Sequence, residues 1–186
     1  MPSAHAPTDV QGLRVLAHPL RLRLLSLLTG RALSGAEAAR ELGDTQANVS
    51  YHLRRLHAAG LVTAVEEPGQ RGRARRYRHE PVSGEMLTLE RSADHQLLMA
   101  ALAAELQRRS VEHRAGSTGA FTDAELWVDA DTWSRALAAA RELGALLHDH
   151  ALPPAGEGAV RVSATISLFE LRPEPAGPTD PEVSGR

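Results

Sequence analysis

Apolar positions are dense and helically spaced from the start of the second decade of the chain. Leu13, Val15, Leu16, Leu20, Leu22, Leu24, Leu25, Leu27 and Leu28 predict helix. Pro19 divides the run, because proline breaks a helix interior but suits a first turn. The pattern therefore predicts one helix over 10–17 and a second over 19–29, ended by Gly30. Ser34 with Glu37 three residues on has capping-box spacing and opens a third helix, 35–42, that stops at Gly43. Val49, Leu53 and Leu56 form a narrow stripe on a fourth, 45–59, ended by Gly60. Residues 61–66 read as a strand. Pro68, Gly69 and Gly72 mark a turn, and 75–79 read as the returning strand of a hairpin.

A long helical pattern resumes over 85–113, through Met86, Leu87, Leu89, Leu97, Leu98, Met99, Leu102 and Leu106. Residues 110–119 are polar and break it. Residues 125–129 then predict a strand, and Asp131 or Thr132 caps a helix carrying Trp133, Leu137, Ala140, Leu143, Leu146 and Leu147. Residues 160–169 alternate apolar with polar, as a half-buried strand does. The fold class expected is mainly α with small β parts, in two units: 10–82, and 85–171 as a long helix followed by a β-α-β extension. Residues 1–9 and 172–186, the latter with four prolines, are expected to be disordered tails.

Composition narrows the chemistry. The 186 residues contain no Cys, which excludes disulfides, thiolate metal sites and a cysteine nucleophile. No window approaches the ~18 apolar residues of a membrane helix, and the N-terminus lacks the basic start and apolar core of a secretory signal. A soluble, cytoplasmic chain is expected. All 21 basic residues are Arg, and the net charge of −2 hides a split. Residues 10–80 hold 12 Arg against 6 acids, and residues 81–186 hold 9 Arg against 16. A basic first half points to a polyanion partner.

Three short helices followed by a basic hairpin is the winged helix-turn-helix order. A helix fits the major groove of DNA, where each base pair shows its own donor and acceptor pattern, and a wing touches phosphates or the next minor groove. The helix at 45–59 carries suitable side chains: Thr45, Gln46 and Asn48 at its entry, then Ser50, Tyr51, Arg54 and Arg55. The wing carries Arg71, Arg73, Arg75 and Arg76 with no acid among them. Taken singly, each of these is equally a solvated side chain, and His52 and His57 read as core or surface histidines. The ordered combination carries the reading.

Two stretches also resemble a known family. Residues 16–25, Leu-Ala-His-Pro-Leu-Arg-Leu-Arg-Leu-Leu, look like the opening of the arsenic-repressor-like (ArsR) winged-helix regulators. Residues 45–56, Thr-Gln-Ala-Asn-Val-Ser-Tyr-His-Leu-Arg-Arg-Leu, followed by Ala59-Gly60-Leu61-Val62, are similar to that family's recognition helix and its exit into the wing. The resemblance covers about 70 of the 186 residues. It implies a dimeric DNA-binding regulator, most often a repressor released by an effector. The metal-sensing cysteines of some members are absent here. Asp94 and His95 are adjacent and do not share a helix face. His113 lies ~27 Å along the helix from His95, so no metal or other cofactor is assigned.

The resemblance fades after the wing. Leu98, Leu102 and Leu106 are the expected dimer seam, with intramolecular core as the competing reading. Trp127 and Trp133 are candidates for an effector pocket or for ordinary core. The expected partners are double-stranded DNA, a second copy of the chain and an unidentified small effector. The expected function is a sequence-specific, homodimeric repressor that reads an inverted repeat. The alternative is a winged-helix scaffold that binds nucleic acid non-specifically or binds a protein. No nucleophile elbow, phosphate loop or metal-binding His-Glu pair points to an enzyme.

Overall fold

The computed structural model describes residues 11–65, 74–79, 92–152, 154 and 156–172. Helix α1 spans Gln11–Leu16 and α2 spans Pro19–Leu28. Pro19 occupies the first turn of α2, and the His18 ring caps it by accepting from the Leu20 N–H at 3.2 Å. A two-residue strand, β1 (Leu33–Ser34), leads into α3 (Gly35–Leu42). The capping box forms as its spacing predicts: Glu37 N–H donates to Ser34 Oγ, and Ser34 N–H donates to Glu37 Oε2 at 2.8 Å.

Gly43 ends α3 at φ 65°, a left-handed conformation that costs glycine nothing. Helix α4 runs Gln46–Ala58 behind Thr45, whose hydroxyl accepts from Asn48 N–H. Strands β2 (Thr63–Val65) and β3 (Arg76–Arg78) follow, in an antiparallel sheet ordered β1-β3-β2. Tyr77 pairs with Leu33 on one side and Ala64 on the other. The hairpin tip, with Arg71 and Arg73, lies outside the described residues.

One core joins these elements. Leu24, Leu28, Val49, Leu53 and Leu56 are fully buried, and Val15, Leu20, Leu25, Leu33, Val62 and Tyr77 close around them. Each buried leucine is worth ~1.5–3 kcal/mol of apolar transfer. The α4 stripe predicted from spacing is the one that enters the core, so its opposite face is left to solvent.

Helix α5 (Ser92–Ser110) packs on α1 and α2. It is shorter than the predicted 85–113. Residues 85–91 lie outside the described residues, and 111–113 turn away after Ser110. Helix α6 (Ala130–Asp149) is capped by Asp129, which accepts from Thr132 N–H at 2.7 Å, two or three residues before the expected Asp131 or Thr132. Its C-terminal end reaches the first unit. A Cβ built on Gly30 would stand 3.3 Å from the Ala151 carbonyl oxygen.

The predicted strands flanking α6 do not form. Neither 125–129 nor 160–169 joins a β-ladder. The stretches read from sequence as tails, 1–9 and 172–186, lie outside the described residues except for Arg172.

Candidate nucleic-acid interface

The exposed face of α4 has two flanks. Gln46, Ser50 and Arg54, four residues apart, face the hairpin. Together with Gly35, Ala36, Arg75 and Tyr77 they line a cleft between α3, α4 and β3. Asn48, Tyr51 and Arg55 lie toward α2. Tyr51 is 51% exposed, and Gln46, Asn48, Arg54 and Arg55 are all exposed. Among the described residues no acid pairs with Arg54, Arg55 or Arg75.

Several predicted site residues are also engaged within the chain. Thr45 is the α4 cap. Asn48 Nδ2 donates to both carboxylate oxygens of Asp44 at 3.1 Å, and these bonds hold the Asp44 carboxyl below its ordinary value. Ser50 packs against the first turn of α3, and a Cβ on Gly35 would stand 2.6 Å from its Oγ. This close approach is what lets α3 brace α4.

The two wing arginines differ. Arg75 is exposed, with its guanidinium carbon 5.8 Å from the centre of the Tyr77 ring. Arg76 turns inward, where Nε and Nη2 donate to the Ala32 carbonyl at 3.2 and 2.8 Å. Its Nη2 also stands 3.4 Å from Glu37 Oε1.

The sequence reading missed Arg21. It projects from α2 beside Arg55 and Tyr51, and its Nε is buried without a hydrogen-bond partner. Below it the His18 and His52 rings lie 4.5 Å apart. Burial, then His18 and Arg21, hold the His52 imidazole below its ordinary value. Burial and Arg21 do the same to His18. His52 is thus a neutral core histidine on the inner side of α4. Its place three residues after Val49 and four before Leu56, on the same side of the helix, was the available signal.

The residues proposed for the second unit are dispersed. Leu98 is buried, Leu102 is half-buried and Leu106 is 50% exposed. Trp127 is 85% exposed, whereas Trp133 donates its indole N–H to Glu170 Oε1 at 2.9 Å. Among the described residues no three His, Asp or Glu side chains gather as metal ligands, and no helix is long and apolar enough to cross a membrane.

Comparison with known proteins fits this geometry. Residues 16–65 match a family described as a helix-turn-helix domain. The chain is similar to a solved structure of a possible transcriptional regulator for arsenical resistance, at 29% identity over 57% of this chain and 99% of that one, TM-score 0.34. It is also similar to reduced HlyU from Vibrio cholerae, at 21% identity over 53% and 85%, TM-score 0.34. A third is HlyU from Vibrio vulnificus, at 22% identity over 53% and 84%, TM-score 0.34. No curated protein matches the chain. The matched helices, the bracing of α4 by α3 and the strand returning at 76–78 make this part of the chain a helix-turn-helix domain in the winged arrangement.

Proposed function

We propose that the protein is a cytoplasmic, sequence-specific transcriptional repressor that binds double-stranded DNA as a homodimer. The observation that carries this is the solvent face of α4. A rigidly braced helix of 13 residues presents amide, hydroxyl and guanidinium groups beside an exposed wing arginine. Gln46 and Asn48 stand at the helix entry, where base edges are met. Arg54, Arg55 and Arg75 supply phosphate contacts. Asn48 reaches a base once its amide leaves Asp44, so its contribution is a net one.

Two copies place two α4 helices in successive major grooves of an inverted repeat, about 34 Å apart. A dimer so placed blocks transcription. An effector acts on the unit from α5 onward by binding one dimer state better than another. The dimer is built around the α5 layer.

The test is selection from a random pool of duplex DNA followed by sequencing. Convergence on an inverted repeat supports the reading. Retention without convergence points instead to a scaffold that binds nucleic acid non-specifically. Asn48→Ala should cost ~1–3 kcal/mol at one base position.

A further inference from the structure

Helix α4 opens beside a carboxylate. Asp44 stands just outside the cap Thr45, two residues before Gln46. Of the other described acids in the first unit, Glu37 pairs with Arg76 and Glu41 with Arg31. Asp44 is bound to amides instead. Its Oδ1 accepts from the Thr45 N–H at 2.6 Å, and both its oxygens accept from Asn48 Nδ2 at 3.1 Å.

A carboxylate in this place opposes the approach of DNA. Exposed charges act over roughly 8–10 Å at physiological salt, and every phosphate repels it. The dipole of α4 offsets part of that cost, since an acid is favoured beside a helix N-terminus. The cap itself does not require the acid, because the Thr45 hydroxyl already supplies it. What Asp44 does alone is hold the Asn48 amide.

That bond fixes which way the amide lies. A carboxylate only accepts, so Nδ2 must face it. Oδ1 accepts from nothing among the described residues. Of the four bases, only adenine shows a donor beside an acceptor in the major groove, N6 and N7, and so engages both ends of an asparagine amide. That pairing requires Nδ2 to leave Asp44. A base edge that offers less leaves Asn48 where it is, with its nitrogen still bonded and no group orphaned. The bond to Asp44 therefore lowers the gain at the right base and removes a penalty at the wrong one. Both effects flatten the preference.

We propose that Asp44 sets specificity through Asn48: it competes with the base for the Asn48 amide and keeps the entry of α4 tolerant at the base position Asn48 faces. The assignment rests on the DNA reading above and deepens it. A reader built this way accepts a set of related sites in place of a single sequence.

The test is selection from random duplex DNA with the full-length chain, Asp44→Ala, Asn48→Ala and the double variant. Asn48→Ala marks the base position. There Asp44→Ala is expected to raise the preference for adenine about three- to tenfold, the worth of one net hydrogen bond. It should also tighten binding to all duplexes, because a charge facing the phosphates is gone. In the Asn48→Ala background the general tightening should persist and the gain at adenine should vanish. Asp44→Asn, which drops the charge but keeps an acceptor, should tighten binding as much with a smaller gain at adenine. A merely structural role at the start of α4 would lower Tm and leave the ratio between bases unchanged. An unchanged or lower adenine preference in Asp44→Ala, or the same gain without Asn48, would overturn the proposal while the DNA reading stands. One readout needs no DNA: the NMR resonances of the Asn48 side-chain amide should shift in Asp44→Ala, and unmoved resonances would also overturn the proposal. A shift without convergence of the wild-type pool would leave the Asp44–Asn48 bond in place and remove the DNA reading, and with it the role assigned to that bond.

Discussion

Arg76→Ala separates the two jobs that wing arginines can do. Arg76 donates twice to the Ala32 carbonyl, at 3.2 and 2.8 Å, and stands 3.4 Å from Glu37, so it ties β3 to the start of α3. A hydrogen bond from a charged donor contributes ~1.5–3 kcal/mol net. The Arg76 side chain is 29% exposed, which places it at the lower end of that range. The ion pair adds at most ~1 kcal/mol. Removal should cost about 2 kcal/mol. In a unit of this size each kcal/mol moves Tm by ~4–8 °C, so a drop on the order of 10 °C is expected. Arg75→Ala loses only an exposed contact with Tyr77, worth ~0.5–1 kcal/mol. It should instead weaken DNA binding and lower the salt slope by ~1. Thermal unfolding followed by circular dichroism, with titration against duplex DNA, reads both. Equal Tm losses in the two variants, or a wild-type Tm for Arg76→Ala, would refute the division.

Gly35→Ala should cost about 1 kcal/mol, because the new Cβ meets Ser50 Oγ at 2.6 Å. Gly35→Ala combined with Ser50→Ala should recover the loss, and a loss that persists in the double variant would mean the backbone, not the hydroxyl, is crowded. His18, His52 and His79 all have imidazoles held below the ordinary 6.5, chiefly by burial. The unfolded chain therefore takes up protons first as pH falls. Stability is full above about 6.5 and declines below it, so Tm at pH 5.5 should lie under that at pH 7.5; His52→Gln should narrow the gap, and an unchanged gap would clear His52. Arg21→Ala should weaken binding to all duplexes alike and lower the salt slope by ~1, whereas an effect confined to one base position would contradict a phosphate contact.

The first unit was legible because its signals are local. Ser34 with Glu37, Pro19 at a first turn and Gly43 after a stripe each act within one helical turn, and α1–α4 lie close to where those residues put them. Strand β1 was not legible. Two residues carry no alternation, and Leu33 and Ser34 become a strand only by pairing with Tyr77 and Arg76 more than 40 positions away. The α6 start was blurred because Asp129, Asp131 and Thr132 are all capping residues, and only geometry selects Asp129. In 160–169 the period of two was readable but not which face turns inward. A periodicity specifies alternate sides. Which of them is covered depends on a partner, and every residue of 160–169 is exposed, so the half-buried strand that the alternation predicts does not form. Leu98, Leu102 and Leu106 show the same limit. They are four apart and look like one seam, yet the drift between 3.6 and 4 residues per turn carries Leu98 into the buried stripe and the other two into its neighbour.

Charge counting met a related limit. Residues 10–80 have an excess of six Arg over acids, but counting does not say which are available. Arg31 makes a two-pronged pair with Glu41 at 3.1 and 3.0 Å and donates to the Leu27 carbonyl. Arg23 donates to the Leu42 carbonyl and Arg76 to that of Ala32. The guanidinium fork suits this work, because one side chain satisfies several acceptors at once. An all-arginine chain therefore spends part of its positive charge on holding its own loops. Of the described arginines that stay exposed, Arg54, Arg55, Arg75 and Arg78 stand on α4 and the wing, and Arg14 and Arg40 on α1 and α3. A duplex at physiological salt feels charges within roughly 8–10 Å. The acids of the second half cancel these arginines only where they stand beside them, and among the described residues none pairs with them. A chain of net charge −2 thus presents a locally cationic face, and it is the face to which the proposed function assigns DNA.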